Sequence, residues 1–167
     1  MEKIASFQVD HLRLKPGVYV SRKDRAGSEL VTTFDLRFKE PNKEPVIDNP
    51  ALHTIEHLGA TFLRSHKDWG PRTVYFGPMG CRTGFYVIFF GDLDSHDILP
   101  VLREMLDWIE AFSGPIPGAR PAECGNWSEQ NLDMAKWECR RWGAVVRSPA
   151  DENLNYPTSS PTNQQPG

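Results

Sequence analysis

The segment Asn49-Pro50-Ala51-Leu52-His53-Thr54-Ile55-Glu56-His57-Leu58-Gly59-Ala60-Thr61-Phe62-Leu63 has the apolar spacing of a helix, not of a strand. Leu52, Ile55, Gly59 and Phe62, with Leu58 and Leu63, form one buried face of a helix expected to run to about His66. Asn49 suits the N-cap and Pro50 the first helical position. Gly59 costs about 1 kcal/mol relative to alanine inside a helix, which predicts close packing there. His53 and His57 stand at i and i+4, about 5–6 Å apart at Cβ. Both can therefore reach one metal ion, at roughly 2.0–2.1 Å from each nitrogen for zinc. Glu56 lies about 100° round the helix from His57. It is placed to flank such an ion without ligating it, and to move protons there. The plainer alternative is two surface histidines.

Working outward, Leu30, Thr32, Phe34, Leu36 and Phe38 alternate with Val31, Thr33, Asp35 and Arg37. This period of two predicts a half-buried strand ended by Pro41. Thr73 to Phe76 predicts a short strand, interrupted by Gly77-Pro78-Met79-Gly80. Gly84 to Phe90 is apolar throughout and is expected to be covered on both faces. A second helix is expected from Ser95 or Pro100 to Gly114-Pro115, with Ile98, Val101, Leu102, Met105, Ile109 and Phe112 inward. Ser128 is expected to cap a third, with Leu132, Ala135, Cys139 and Trp142 inward. Strands and helices without strict alternation predict an α+β fold, a mainly antiparallel sheet with helices packed on one face. Residues 1–147 are expected to be one catalytic domain. The Ser-, Thr-, Asn-, Gln- and Pro-rich residues 148–167 are expected to be a disordered tail.

The 167 residues are 39% hydrophobic and 25% charged, enough apolar content for a buried core. A net charge of -3 gives no electrostatic basis for nucleic-acid or membrane-surface binding, and no apolar run approaches the roughly 20 residues that span a bilayer. Met1 to Ser6 lacks the features of a signal peptide. Three cysteines without scaffold spacing favour a reducing cytoplasm.

A catalytic metal centre needs about three protein ligands and an open position. Cys124, in the short loop Glu123-Cys124-Gly125-Asn126, is the candidate third ligand beside His53 and His57. Cys139 faces inward among apolar neighbours and reads as an inert thiol. Cys81, beside Arg82 and within reach of Gly80 and Gly84, sits in a tight, electropositive turn of the kind that favours a thiolate; a small residue filling a turn is the competing reading.

Taken together, His53-Thr54-Ile55-Glu56-His57-Leu58, Pro78-Met79-Gly80-Cys81-Arg82-Thr83-Gly84-Phe85-Tyr86 and Glu123-Cys124-Gly125-Asn126 resemble the S-ribosylhomocysteine lyases, the LuxS family of autoinducer-2 synthases. Ser6-Phe7 with Asp10-His11, and Phe34-Asp35-Leu36-Arg37-Phe38, match as well, in order from Ser6 to Trp142. The resemblance implies that His53, His57 and Cys124 hold one divalent metal per subunit, natively Fe²⁺, with Zn²⁺ or Co²⁺ possible in preparations. It implies Cys81 and Glu56 as the acid/base pair and Ser6, His11, Arg37 and Arg64 as substrate-pocket residues. It further implies a cytoplasmic homodimer with sites at the interface, Ser6, His11 and Arg37 completing the partner's site. Tyr75 departs from an acidic residue common in the family. The implied reaction releases homocysteine and 4,5-dihydroxy-2,3-pentanedione, the autoinducer-2 precursor.

The residue chemistry agrees with that reaction. A thioether leaves a sugar readily only when it is β to a carbonyl, so an aldose carbonyl must first migrate along the chain. Each shift needs a Lewis acid on oxygen and a base that moves a proton between neighbouring carbons. Two readings compete. The order H-x-x-E-H also occurs in inverzincin peptidases, where metal and glutamate activate water, but those use a carboxylate as third ligand and leave Cys81 idle. A non-catalytic metal module would normally be closed by four ligands at short spacing, whereas these three are dispersed.

Overall fold

A computed structural model describes residues 4–157, apart from the side chains of Ala5 and Ser6. In chain order it contains helix α1 (Ala5–Gln8), strands β1 (Gly17–Ala26) and β2 (Glu29–Arg37), helix α2 (Asn49–Ser65), strands β3 (Thr73–Pro78) and β4 (Gly84–Phe90), and helices α3 (Ser95–Ala111) and α4 (Leu132–Arg147). The strands form one antiparallel sheet in the order β1-β2-β4-β3. Phe34 and Leu36 of β2 and Phe85, Val87 and Phe89 of β4 enter a single core with the inner faces of α2, α3 and α4. This is the α+β arrangement expected. Each such side chain, fully buried, contributes about 1.5–3 kcal/mol.

The core face of α2 is Ala51, Leu52, Thr54, Ile55, Leu58, Gly59 and Leu63, close to the expected set; its cap is Asp48, one residue earlier than expected. Gly59 has the close neighbour its cost foretold. A Cβ there would lie 2.5 Å from the Phe76 ring, which stacks on Phe85 with centroids 5.2 Å apart. α3 begins at Ser95, where Asp94 accepts from the backbone of His96 and Asp97 and the Asp97 carboxylate accepts from the Asp94 N–H.

Four expectations need correction. β1 was not foreseen, because beyond Val20 it is polar and exposed. It is an edge strand, and its signal is the two-residue turn Gly27-Ser28 joining Ala26 to Glu29, with Gly27 at φ 62°. β4 is not covered on both faces: Tyr86 and Ile88 are partly open and Phe90 is exposed. β2, conversely, is buried on both faces from Thr32 onward. α4 starts at Leu132 with Asn131 as cap, its side chain accepting from Met134 N–H at 3.1 Å; Ser128 stays in a loop whose backbone serves α2.

The tail boundary also moves, and this explains β2. Residues 148–157 are structured: Asp151–Asn153 form a 3₁₀ turn and Leu154 is buried in the core. Asn153 Nδ2 donates to the Pro16 carbonyl at 2.9 Å. Tyr156 stacks on Tyr19, centroids 4.8 Å apart and planes 11° from parallel. Two apolar anchors in a polar segment are enough to hold it over the outer face of β1 and β2. Residues 158–167 of the expected tail lie outside the described residues.

Helix propensity alone would make Gly59→Ala stabilising by about 1 kcal/mol. The Phe76 contact reverses the sign: Gly59→Ala is expected to lose roughly 1–2 kcal/mol, read as a lower midpoint in urea unfolding, and Gly59→Ala with Phe76→Leu to recover most of it.

Candidate metal centre and its surroundings

α2 turns His53 and His57 away from the core, and the two Nε2 atoms approach to 3.0 Å. Cys124 Sγ lies 3.4 Å from His53 Nε2, and ligand atoms of all three residues fall within 4.8 Å of one another. The far ring nitrogens are held by the loop between α3 and α4. His57 Nδ1 is 2.7 Å from the Pro117 carbonyl and His53 Nδ1 is 2.9 Å from the Glu129 carbonyl. A carbonyl only accepts, so both Nδ1 atoms carry the proton. The Gln130 amide nitrogen, 3.3 Å from His53 Nδ1, is the longer contact. Two Nε2 lone pairs therefore face each other beside a thiol, and a cation between them removes the repulsion. The donor set of two imidazoles and one sulfur fits a tetrahedral ion with one position left open.

That loop is tied to the same helix that carries the histidines. Thr54, buried on α2, donates through Oγ1 to Gln130 Oε1 at 2.7 Å and accepts from Asn131 N–H at 2.9 Å. Cys124 N–H donates to the Arg120 carbonyl at 3.0 Å, and Asn126 N–H points to Cys124 Sγ at 3.4 Å. Gly118 has φ 72°, and a Cβ there would sit 3.1 Å from His57 Nδ1. Any other residue would strain the turn and press on the histidine.

Glu56 and His57 line one open cavity of about 300 Å³ with Ala60, Thr61, Pro117 and Gly118. Among the described residues, the Glu56 carboxylate has no hydrogen-bond or ion-pair partner, unlike most carboxylates here.

Cys81 is exposed at the tip of the β3–β4 hairpin. Arg82 N–H donates to the Met79 carbonyl at 2.9 Å, and Arg82 itself holds φ 58°, a strained value for a side-chain-bearing residue. Its guanidinium donates to Asn49 Oδ1 at 3.2 Å, which ties the turn to α2 one helical turn, about 6 Å, before His53. Thr83 Oγ1 is 3.1 Å from Cys81 Sγ and accepts from Arg37 Nη1 at 2.6 Å. Arg37, expected as a substrate-pocket residue, is tied within its own chain to the Cys81 turn. Register is the cause: Arg37 pairs with Gly84, and Phe38 and Lys39 both donate to the Thr83 carbonyl at 3.0 Å. Burial opposes the Arg37 charge, but the adjacent Asp35 more than offsets that and holds its pKa up.

The other candidates are more scattered. His11 lies in the turn after α1, Nδ1 against the Val9 carbonyl at 2.8 Å; the Ser6 side chain lies outside the described residues. Arg64 is at the far end of α2, donating to the Val74 carbonyl at 2.8 Å, about 16 Å along the axis from His53. Cys139 is buried, which pushes its thiol pKa up and leaves it unreactive. Thr54, Thr83, Gly118 and the carbonyls of Pro117 and Glu129 escaped sequence reading. Nothing local marks a carbonyl as a histidine's partner.

Residues 4–152 match the family model described as S-Ribosylhomocysteinase (LuxS). A protein of Clostridium acetobutylicum named S-ribosylhomocysteine lyase is 55% identical over 157 residues, 94% of this chain and 99% of the relative. Proteins of the same name from Desulfotalea psychrophila and Porphyromonas gingivalis are 54% and 56% identical, covering 95% and 94% of this chain and 100% and 99% of theirs.

With three ligands, loss of one leaves an ion weakly held. His57→Ala and Cys124→Ala are each expected to emerge from purification with well under half the wild-type metal by elemental analysis. Full occupancy in Cys124→Ala would remove Cys124 from the ligand set.

Proposed function

The chain belongs to the S-ribosylhomocysteinase (LuxS) family, and on that premise we propose that it cleaves S-ribosylhomocysteine to homocysteine and 4,5-dihydroxy-2,3-pentanedione with the residues gathered around α2. The observation that carries this reading is the convergence of ligand atoms from His53, His57 and Cys124, with one of those ligands, His57, sharing a cavity with the free carboxylate of Glu56. His53, His57 and Cys124 would hold the divalent ion, with Fe²⁺ the expected native metal. When bound, that ion supplies Lewis acidity to the sugar oxygens.

Everything else falls to side chains. Cys81 Sγ takes a proton from one sugar carbon and returns it to the neighbouring one, so the carbonyl moves along the chain until the C–S bond is β to it. The Thr83 hydroxyl, fixed as an acceptor by Arg37, has its own proton free to point at that sulfur. Glu56, with no competing partner, exchanges hydroxyl protons. In the elimination the Glu56 carboxylate takes a proton from the carbon between carbonyl and thioether, a carbon–carbon double bond forms as the C–S electrons pass to sulfur, and Glu56 hands that proton to the departing homocysteine thiolate. A water-activating peptidase would leave Cys81 and its hydrogen-bonded turn without a task.

We further propose a homodimer in which His11 and Ser6 reach the partner's cavity. The apolar side chains Phe7 and Leu12 near the N-terminus are 70% and 72% exposed, and the outer sheet face beside Tyr75, Tyr86 and Ile88 encloses an open space of about 290 Å³. Both surfaces suit burial against a second copy. No helix among the described residues is long and apolar enough to cross a membrane; a cytoplasmic location is the expected one.

Cys81→Ala is expected to retain its metal yet lose turnover, measured as homocysteine released from S-ribosylhomocysteine with a thiol reagent. Cys81→Ser should be nearly as poor, because a hydroxyl is too weak an acid to serve as base near neutral pH. Glu56→Gln should also keep metal and stall with bound sugar or ketone. Release near the wild-type rate by Cys81→Ala would make the thiol structural. The dimer reading has its own check: mixing inactive Cys81→Ala chains with inactive His11→Ala chains, subunit exchange verified, should restore part of the activity, since one site of a mixed dimer carries neither lesion. No recovery would mean that each chain builds its own site.

A further inference from the structure

The outer face of the sheet carries an unbroken polar path that begins in the C-terminal segment and ends at Cys81. Tyr156 Oη donates to Asp35 Oδ2 at 2.9 Å. Asp35 grips Arg37 with both oxygens, Oδ1 from Nε at 3.1 Å and Oδ2 from Nη2 at 2.5 Å. The remaining donor arm, Nη1, goes to Thr83 Oγ1, which touches Cys81 Sγ. Asp35 and Arg37 are almost wholly buried, with side chains 2% and 3% exposed. Water therefore cannot replace a lost partner freely, and each group's position depends on the next.

From Tyr156 to Thr83 the direction of each bond is determined. A guanidinium only donates, so Thr83 Oγ1 accepts from Arg37 and its own hydrogen is free for the sulfur. Burial, then the Asp35 charge, raises the Tyr156 pKa, so the phenol stays protonated and donates. Asp35 Oδ2 thus accepts two hydrogen bonds, one from Arg37 and one from Tyr156. Without the phenol, the second lone pair of a buried carboxylate is left without its donor. Its full charge then acts on Arg37, whose Nη1 is the arm least committed to Asp35 and is drawn back from Thr83.

We propose that Tyr156 is a positioning residue for Cys81: by sharing the Asp35 carboxylate it leaves one arm of Arg37 free to orient Thr83 toward the sulfur. This rests on the reading of Cys81 as the proton carrier, and goes beyond it by giving the C-terminal segment a part in the reaction. Tyr156 lies past the residues matched to the family model.

The test uses the full-length, metal-loaded protein. Tyr156→Phe removes only the hydroxyl and keeps the ring stacked on Tyr19. Iodoacetamide modification at Cys81 is followed by peptide mass as a function of pH, beside kcat and KM for S-ribosylhomocysteine. Tyr156→Phe is expected to slow Cys81 modification at pH 7 roughly threefold, the effect of a half-unit displacement of the profile to higher pH. The kcat profile should move with it and KM should stay close to wild type. Tyr19→Phe is the control for mere stability. Its hydroxyl bonds the Lys15 and Glu152 carbonyls, each at 2.8 Å, and lies off the hydrogen-bonded path from Tyr156 to Cys81. It should lower Tm and leave the Cys81 profile in place. A Tyr156→Phe profile coincident with wild type, or an equal displacement in Tyr19→Phe, overturns the proposal. A displaced modification profile with an unmoved kcat profile upholds the positioning role of Tyr156 and instead rejects Cys81 as proton carrier.

Discussion

The approach of α2 to the sheet at Gly59 governs the geometry of this protein. Because a hydrogen stands where a Cβ would meet the Phe76 ring, the helix settles close over β3, with Ile55, Leu58 and Leu63 fully buried. A helix fixed on one side at that depth has its opposite side fixed as well. His53, Glu56 and His57 occupy that side, and their spacing and outward angle follow from the packing beneath them. A deeper or rolled helix would separate the Nε2 atoms from the sulfur delivered by the loop.

The loop between α3 and α4 depends on the same helix. Thr54 faces inward between the two histidines and bonds Gln130 and the Asn131 backbone. The carbonyl that orients His53 is next in the chain to Gln130. One side chain on α2 therefore sets the loop that sets the ring tautomer. Such outer partners matter because a ligand free to rotate binds its ion less tightly.

Among the described residues charge is buried in two places, and both join strands to distant chain. Asp35 and Arg37 lie under the C-terminal segment. Lys39, just past β2, meets Glu138 of α4 at 2.6 Å, with both side chains under 5% exposed. Desolvating such pairs costs much of what their attraction returns, so their value lies in geometry, not in net stability. A register slip of one residue would put Asp35 and Arg37 into the apolar core. Their pairing excludes that arrangement and holds the Cys81 turn beside the end of β2.

The residues of α2, β2, β4 and α3 announce themselves, because hydrophobic period is a local property and each element repeats its own signal several times. The same holds for His53, Glu56 and His57, whose relation is set by helix geometry, and for Cys81 and Cys124 as members of short recognisable runs. β1 gave only a two-residue turn as its sign, since an edge strand with one exposed half needs no apolar alternation. The order of residues 148–157 was hidden by polar neighbours, although Leu154 and Tyr156 supply its apolar anchors. Only the folded chain decides that Pro117 and Glu129 carbonyls fix the histidine tautomers, that Arg37 meets Thr83 of its own chain, and that Tyr156 reaches Asp35 across 121 residues. Those are contacts between groups far apart in sequence, made by atoms every residue carries or by side chains with many possible partners. No local pattern encodes which of them meet; the packing of helices on a registered sheet does.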